Sequence, residues 1–161
     1  MHSNEDSTPH APEVGALLAG KYRVEQVLHA RGPVARLVAW HVPMDRRVTM
    51  KLLLGTPDAA TVERFTRGAR LAAQLRGEHA ARVLDVTTLE EGCLAVVLEH
   101  WNGRAVAAEL EARGPLPVEQ AVRHVLEACE ALAEAHARGI VHRDLKPSNC
   151  VVVREGAGEI V

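Results

Sequence analysis

The 161-residue sequence predicts an α+β fold, in which a five-stranded sheet with one inserted helix precedes a mainly helical segment. Two observations support this. Up to about residue 100, short segments rich in Val, Leu and Ala alternate with Gly, Pro and acidic turns, a pattern typical of strands. From Gly103 onward, apolar residues recur at spacings of three and four, which is typical of amphipathic helices.

Three strands are predicted before the first helix, in KYRVEQVLHA (21–30), ARLVAWHV (35–42) and RRVTMKLLL (46–54). Asp58 is a favourable N-cap for a helix in AATVERFTRGARLAAQLR (59–76), because its carboxylate can accept a bond from a first-turn amide. Two further strands, ARVLDVTTL (81–89) and CLAVVLEH (93–100), flank the turn EEG. These segments make up the predicted sheet and its helix.

The second half of the chain is predicted to be helical up to a final hairpin. A short helix covers Val106–Ala112, and a longer one begins at Pro117 and runs to about Arg138, where Gly139 stops it. VVVREGAGEIV (151–161) predicts a hairpin. We therefore expect a disordered, polar leader over residues 1–20, a first lobe over 21–101 and a partial second lobe over 102–161, with a linker at Trp101–Gly103.

Composition restricts the classes of function. A formal net charge of −2 lacks the basic excess of a general nucleic-acid binder. The three cysteines are widely spaced with no CxxC pair, so neither a zinc site nor a disulfide framework is indicated. No segment approaches about 18 consecutive apolar residues, and the N-terminus has no secretion-signal pattern. We expect a cytoplasmic protein with reduced thiols that binds neither nucleic acid nor membranes.

One motif carries the chemistry. HRDLKPSN (142–149) matches HRDLKPxN, the catalytic loop of protein kinases, at every specified position. Together with AEAHARGIV just before it, this motif makes the chain resemble bacterial eukaryotic-type (Hanks-type) Ser/Thr protein kinases from about Lys21 to Val161. The resemblance implies a kinase-like fold, ATP and magnesium as cofactors, and a protein as substrate or partner.

The resemblance also implies roles for individual residues of the loop. Asp144 would accept or orient the proton of a substrate hydroxyl, and Lys146 would neutralise the transferring phosphoryl group. Asn149 would supply an amide oxygen to a magnesium ion. Arg143 resembles the cation that pairs with a phosphorylated activation segment, and His142 resembles a structural member of the loop. Alternatively, both residues serve only in packing and salt bridges.

Two upstream segments match the family's nucleotide-binding motifs. VTMK resembles the third-strand motif VAIK, so Lys51 corresponds to the lysine that holds the α- and β-phosphates. VLEHW resembles the hinge, with Leu98 as gatekeeper and Glu99 to Trp101 offering backbone contacts to adenine. A solvated lysine at a strand end is the alternative for Lys51.

The glycine-rich loop departs from the family pattern. Kinases have G-x-G-x-x-G here, because glycine lets backbone N–H groups close over phosphates. This chain has LHARGPVARLVA, which places His29, Arg31 and Val34 where the three glycines belong. Only Gly32 remains, in a neighbouring position, and Pro33 removes one N–H donor. Contact with phosphate is then expected through Gly32 or Arg31.

Helix C departs from the pattern as well. The segment FTRGA places Gly68 where the family has the glutamate that pairs with the third-strand lysine. Glu63 lies five residues away, about 140° around the helix, and cannot readily replace it. We therefore expect Lys51 to be without its partner.

The chain also stops at CVVVREGAGEIV, before any D-F-G motif, so we expect a kinase truncated after the catalytic loop. The apolar face of the long helix would then be uncovered and open to association. Three functions stay open: a Ser/Thr kinase domain with impaired phosphoryl transfer, a non-catalytic pseudokinase-like binding or scaffold module, and a product without a biochemical role.

Overall fold

The computed structural model describes residues 11–155 and 158–160. The described chain forms two compact units. The first contains the residues up to Ala73 together with Arg82–His100, and the second contains Gln74–Ala81 and the residues from Trp101 onward. The division after His100 falls just before the expected linker at Trp101–Gly103, and the assignment of 74–81 to the second unit was not foreseen.

The first unit is built on an antiparallel sheet of six strands. They are β1 (Leu17–Leu18), β2 (Tyr22–Arg31), β3 (Val34–His41), β4 (Arg46–Leu53), β5 (Val83–Thr88) and β6 (Leu94–Glu99), in the order β1-β2-β3-β4-β6-β5. Five of these strands were predicted. The sixth is β1, whose Leu17 and Leu18 pair with Arg23 and Tyr22.

The prediction of a disordered leader is wrong for residues 11–20. Besides the pairing of β1, Ala16, Leu18 and Ala19 pack against the buried core, so apolar burial orders this segment. The apolar run ALLA at 16–19 was the available signal in the sequence, but it is only four residues long. Residues 1–10 lie outside the described part of the chain.

One face of the sheet forms the hydrophobic core. Alternate residues of the three central strands are buried there: Ala35, Leu37 and Ala39 of β3; Val48, Met50 and Leu52 of β4; Ala95 and Val97 of β6. Because side chains alternate across a strand, the intervening residues, including Lys51, face the opposite side of the sheet.

Helix α1 (Ala59–Ala72) begins as predicted, with the Asp58 carboxylate accepting the Thr61 N–H at 2.6 Å. It ends four residues before the predicted end at Arg76. The reason lies in the second unit, where the Glu134 carboxylate accepts the backbone N–H groups of Arg76 and Gly77, each at 2.8 Å. Those amides bond to Glu134 instead of continuing the helix.

The second unit contains β7 (Gly103–Ala105), α2 (Val106–Arg113), α3 (Val118–Ala137), β8 (Val151–Glu155) and β9 (Gly158–Ile160). The three strands form a small sheet in the order β7-β8-β9. Pro117 is the N-cap of α3 rather than its first helical residue. At the other end Gly139, with φ +70°, stops the helix as predicted: its N–H bonds His136 O, and the Ile140 N–H bonds Ala135 O, each at 2.9 Å.

Candidate active site

The loop that follows α3 brings three of the predicted site residues together. The Asp144 carboxylate lies 2.9 Å from Lys146 Nζ. The side-chain Nδ2 of Asn149 donates to the Asp144 carboxylate at 2.9 Å and to its backbone carbonyl at 2.8 Å. Asp144 is therefore held from two sides within a six-residue segment.

These contacts set the charge of Asp144. The hydrogen bond from Lys146, followed by that from Asn149, lowers the pKa of Asp144 below its ordinary value, and the charge of Lys146 adds to the effect. The carboxylate is ionised at neutral pH, and 64% of its side chain is exposed. It can accept a hydrogen bond from an approaching hydroxyl group.

The backbone of the loop is constrained at several points. His142 Nδ1 accepts the Asp144 N–H at 3.3 Å, and the Asn149 N–H donates to Lys146 O at 2.8 Å within a 3-10 turn at Pro147–Asn149. Arg143 has φ +62°, in the left-handed region that residues other than glycine seldom occupy. Such conformations persist only where surrounding contacts enforce them, and they cluster at functional sites.

The loop is anchored by elements that sequence reasoning did not assign to the site. The Val106 N–H at the start of α2 donates to Cys150 O at 2.9 Å. In β7, Gly103 lies so close to β8 that a Cβ atom there would collide with the Val152 carbonyl. Gly103 was predicted to belong to a linker, but the structure places it in strand β7, where the close approach to β8 requires a glycine.

Glu109 is the second unforeseen residue. Its carboxylate is buried and lies 3.3 Å from Arg104 and 3.2 Å from Arg113. Its helix α2 packs against the 3-10 turn that carries Asn149. The i,i+4 spacing of Glu109 and Arg113 was the one indication in the sequence that Glu109 has a structural role, but such pairs are also common on solvated helices.

Lys51 lies on β4 in the first unit, on the face opposite the core. Its Nζ lies 5.7 Å from the centroid of the Phe65 ring on α1, within the range of a cation–π contact. The expectation concerned the family's glutamate, which Gly68 replaces; the aromatic ring is a different kind of neighbour, and it was not foreseen. Gly68, one turn beyond Phe65, has no side chain and therefore offers Lys51 no carboxylate, and no atom lies within 4 Å of a Cβ built there.

The glycine-rich loop is replaced by a tight hairpin. Arg31 of β2 pairs with Val34 of β3, which leaves Gly32 and Pro33 as a two-residue turn. Gly32 has φ +66°, which suits the first position of such a turn and explains the glycine without any ligand. Pro33 O accepts the Leu54 N–H at 2.7 Å. The side chain of Arg31 lies outside the described part of the structure.

The hinge residues lie on either side of the division between the two units. Glu99 ends β6, and its N–H donates to Arg82 O at 2.8 Å; Trp101 begins the second unit. Between them, His100 Nδ1 lies 3.0 Å from Thr49 Oγ1, and burial lowers the pKa of His100. His100 is a further residue that sequence reasoning passed over.

The donor groups of the loop fit a magnesium ion carried by phosphate. In the described residues, no cluster of three His, Cys, Asp or Glu side chains could hold a metal by itself. Mg²⁺ keeps water and phosphate oxygens and needs one or two protein oxygens, which the Asn149 amide and the Asp144 carboxylate can supply. The bonds from Asn149 to Asp144 both use Nδ2, so Oδ1 is the atom that would bind the ion.

The two-unit architecture and the HRDLKPSN loop define a protein-kinase-type domain. Residues 34–160 match the family model described as protein kinase domain, and the chain belongs to this family. This confirms the family and the kinase-like α+β fold inferred from the catalytic loop. As a family, protein kinases use ATP and Mg²⁺ and phosphorylate proteins.

Bacterial Ser/Thr kinases are similar to the chain over most of its length. It is 36% identical over 148 residues to serine/threonine-protein kinase pkn3 of Myxococcus xanthus, covering 90% of the chain and 27% of that protein. It is 33% identical over 156 residues to PknA of Mycobacterium tuberculosis, covering 93% of the chain and 36% of that protein. The chain thus spans about a quarter to a third of these relatives.

Solved structures show the same fold. A double mutant of the PknI kinase domain of Mycobacterium tuberculosis superposes with a TM-score of 0.77 at 26% identity. That match covers 94% of the chain and 61% of the solved chain. A single mutant of the same domain gives a TM-score of 0.73 at 29% identity, and this match covers 88% of the chain and 58% of the solved chain.

In the described residues, no helix has the length and apolar character needed to cross a membrane.

Proposed function

We propose that the chain is a Ser/Thr-protein-kinase domain that binds ATP–Mg²⁺ and transfers phosphate inefficiently to protein hydroxyl groups. The observation that carries this proposal is Gly68: the catalytic loop is organised around Asp144, but position 68 of helix α1 supplies no carboxylate to orient Lys51. Charge and positioning are what a kinase contributes to phosphoryl transfer, so losing one positioning contact lowers the rate rather than changing the reaction.

The loop supports the catalytic half of the proposal. Asp144 is ionised and exposed, so it can orient a substrate hydroxyl. Lys146 lies beside it and can neutralise the transferring phosphoryl group, while Asn149 can bind magnesium through its amide oxygen. In the other unit, Lys51 would contact the α- and β-phosphates.

Features of the first unit support the proposal that phosphate transfer is impaired. Hydrogen bonds to charged groups contribute about 1.5–3 kcal/mol. If the contact that is missing at Gly68 is worth this much in the transition state, the rate falls by roughly 10- to 150-fold. The Gly32–Pro33 turn lowers it further, because a tight hairpin containing proline has fewer N–H groups to close over phosphates.

Phosphate transfer from labelled ATP to a generic protein substrate tests this proposal. We expect slow, Mg²⁺-dependent turnover that Asp144→Ala abolishes and that the matched carboxylate variant Asp85→Ala, on strand β5, retains. Turnover in the range of about 1–100 s⁻¹ usual for kinases would contradict the impairment. An absence of Asp144-dependent turnover in both the wild type and Gly68→Glu would favour the non-catalytic alternative.

The exposed face of α3 favours that second function, a non-catalytic binding or scaffold module. Val118, Val122, Val125 and Leu126 are 78, 51, 61 and 58% exposed, which leaves a continuous apolar stripe. Exposed stripes of this kind mark interaction sites. In a solution of the chain alone, we propose that a second copy covers it.

Light scattering over a range of protein concentrations tests the association. Val125→Glu should reduce the average mass towards that of a monomer, because it places a charge in the stripe. The control Val14→Glu, at a 66% exposed valine of the first unit, should leave the mass unchanged. A wild-type monomer at all concentrations would exclude self-association through α3.

We also propose a cytoplasmic location and protein substrates or partners. ATP, the phosphate donor, is available there, and Cys93, Cys129 and Cys150 are all free thiols. Fractionation of the source cells, followed by detection of the chain in the soluble fraction, would test the location.

A further inference from the structure

Glu109 carries a buried charge in the unit that contains the catalytic loop. Of the Asp, Glu, Lys and Arg residues in the described part of the chain, it alone is buried, with 4% of its surface exposed. Its carboxylate pairs with Arg104 at 3.3 Å and with Arg113 at 3.2 Å. Burying a carboxylate is costly even when it is paired, and well-packed apolar side chains in such positions often give equal or higher stability. Stability alone therefore does not explain the acidic residue at position 109.

The two arginines connect Glu109 to two elements that border the turn carrying Asn149. Arg104 lies on β7, and Arg113 lies in the last turn of α2. The 3-10 turn at Pro147–Asn149 packs against both α2 and β7. The ion pair between Glu109 and Arg104 thus fixes α2 relative to β7, and it does so beside the turn.

Backbone contacts carry this arrangement on to Asn149. The Val106 N–H, at the start of α2, donates to Cys150 O at 2.9 Å, and Cys150 directly follows Asn149. One residue further, Val151 of β8 pairs with Ala105 of β7. A shift of α2 relative to β7 would therefore break one of these contacts and remove part of the support of the turn.

We propose that Glu109 is a positioning residue, which holds α2 and β7 so that the Asn149 side chain stays bonded to Asp144 and presents its oxygen to a magnesium ion. Asn149 Nδ2 donates to the Asp144 carboxylate at 2.9 Å and to the Asp144 carbonyl at 2.8 Å. Hydrogen bonds weaken steeply as their angle degrades, so a small displacement of the turn loosens both. The part in magnesium binding rests on the proposed function, whereas the part in holding Asn149 on Asp144 is independent of it.

Glu109→Leu separates positioning from stability. The side chains of Arg104 and Arg113 are 57% and 50% exposed, so neither becomes a buried unpaired charge when the carboxylate is removed. We therefore expect the melting temperature to stay within about 4 °C of the wild type or to rise above it. The matched control is Glu111→Leu, at an exposed glutamate of the same helix.

An NMR titration of Asp144 in the ligand-free protein reports the position of Asn149. The pKa of Asp144 is lowered by the hydrogen bond from Lys146 and then by that from Asn149. Glu109→Leu should raise this pKa towards its ordinary value, because it loosens the bond from Asn149, and Glu111→Leu should leave it unchanged. A residue that only stabilised the fold would change the melting temperature and leave the pKa of Asp144 in the folded protein as it is.

The magnesium requirement of phosphate transfer from ATP is the second measurement. Residues that orient a metal ligand typically change metal affinity or activity by 10- to 100-fold when they are replaced. The Mg²⁺ concentration at half-maximal transfer should therefore rise roughly 10-fold in Glu109→Leu and stay within about twofold of the wild type in Glu111→Leu.

The outcomes separate this inference from the proposed function. An Asp144 pKa in Glu109→Leu equal to that of the wild type overturns the inference, whatever the melting temperature. A raised pKa with an unchanged Mg²⁺ requirement overturns the part of Glu109 in magnesium binding. If the pKa rises but the wild type shows no Mg²⁺-dependent transfer, the positioning of Asn149 stands and the proposed function fails. Should Glu109→Leu not fold, Glu109→Gln, which keeps the size of the side chain, decides through the same two measurements.

Discussion

Replacing Gly68 by glutamate would place a carboxylate on helix α1, one turn beyond the Phe65 ring that Lys51 approaches. Gly68 lies within the helix and has no positive φ, and no atom lies within 4 Å of a Cβ built on it, so the new Cβ fits without displacement. Phe65, whose ring Lys51 approaches at 5.7 Å, lies about 60° around the helix and 4.5 Å along its axis from position 68. We expect a glutamate there to reach the ammonium group.

Two effects contribute to the stability of Gly68→Glu. Replacing glycine by glutamate inside a helix gains about 0.5 kcal/mol from intrinsic propensity. An exposed ion pair adds about 0.2–1 kcal/mol. The sum, about 0.7–1.5 kcal/mol, corresponds to a rise in melting temperature of roughly 1–6 °C for a chain of this size.

A double-mutant cycle isolates the new ion pair. Thermal unfolding of wild type, Gly68→Glu, Lys51→Met and the double variant should give a coupling free energy of about 0.2–1 kcal/mol. The propensity gain and any contact with Arg64, four residues earlier, cancel in the cycle. Gly68→Glu should also increase phosphate transfer. A coupling below about 0.2 kcal/mol, with transfer unchanged, would refute the reasoning that Gly68 is what limits Lys51.

Three further predictions each concern a substitution that removes or blocks a single contact. Gly103→Ala should destabilise the chain by about 1–3 kcal/mol in thermal or urea unfolding, because its Cβ collides with the Val152 carbonyl; unchanged stability would contradict the close approach of β7 to β8. Lys146→Met should raise the pKa of Asp144 towards its ordinary value in an NMR titration, since Lys146 is the largest cause of its lowering. The pKa of Glu134 is lowered by the amides of residues 76 and 77, so its contribution to stability is present above about pH 4.3 and is lost as pH falls through the lower folded pKa. Glu134→Gln should accordingly speed hydrogen exchange of those two amides at neutral pH, and equal rates would exclude the contact.

Local patterns in the sequence predicted most of the elements correctly. Asp58 and Gly139 act at helix ends through short-range backbone bonds, and such bonds depend on residues only a few positions away. HRDLKPSN also folds locally, since Asp144, Lys146 and Asn149 contact one another within six residues. For this reason the family and the loop could be recognised without a structure.

Contacts between residues distant in sequence were not predicted. The end of α1 depends on Glu134, 58 residues after Arg76, and the order of β1 depends on burial against the core. The approach of the Phe65 ring to Lys51 was not foreseen either, since these residues lie on α1 and β4 and their spacing in the sequence does not indicate a contact. The bond from the Val106 N–H to Cys150 O likewise joins α2 to a loop that lies far along the chain.

The sequence by itself determined the family, the strand and helix segments and the catalytic loop, because each depends on local propensity and on residues close together in the chain. The tertiary structure alone decided what surrounds Lys51, why Gly103 is a glycine and which elements the Asn149 turn packs against. Strand register and burial set these features. Both arise when segments far apart in sequence pair and exclude water, and no local pattern specifies that pairing.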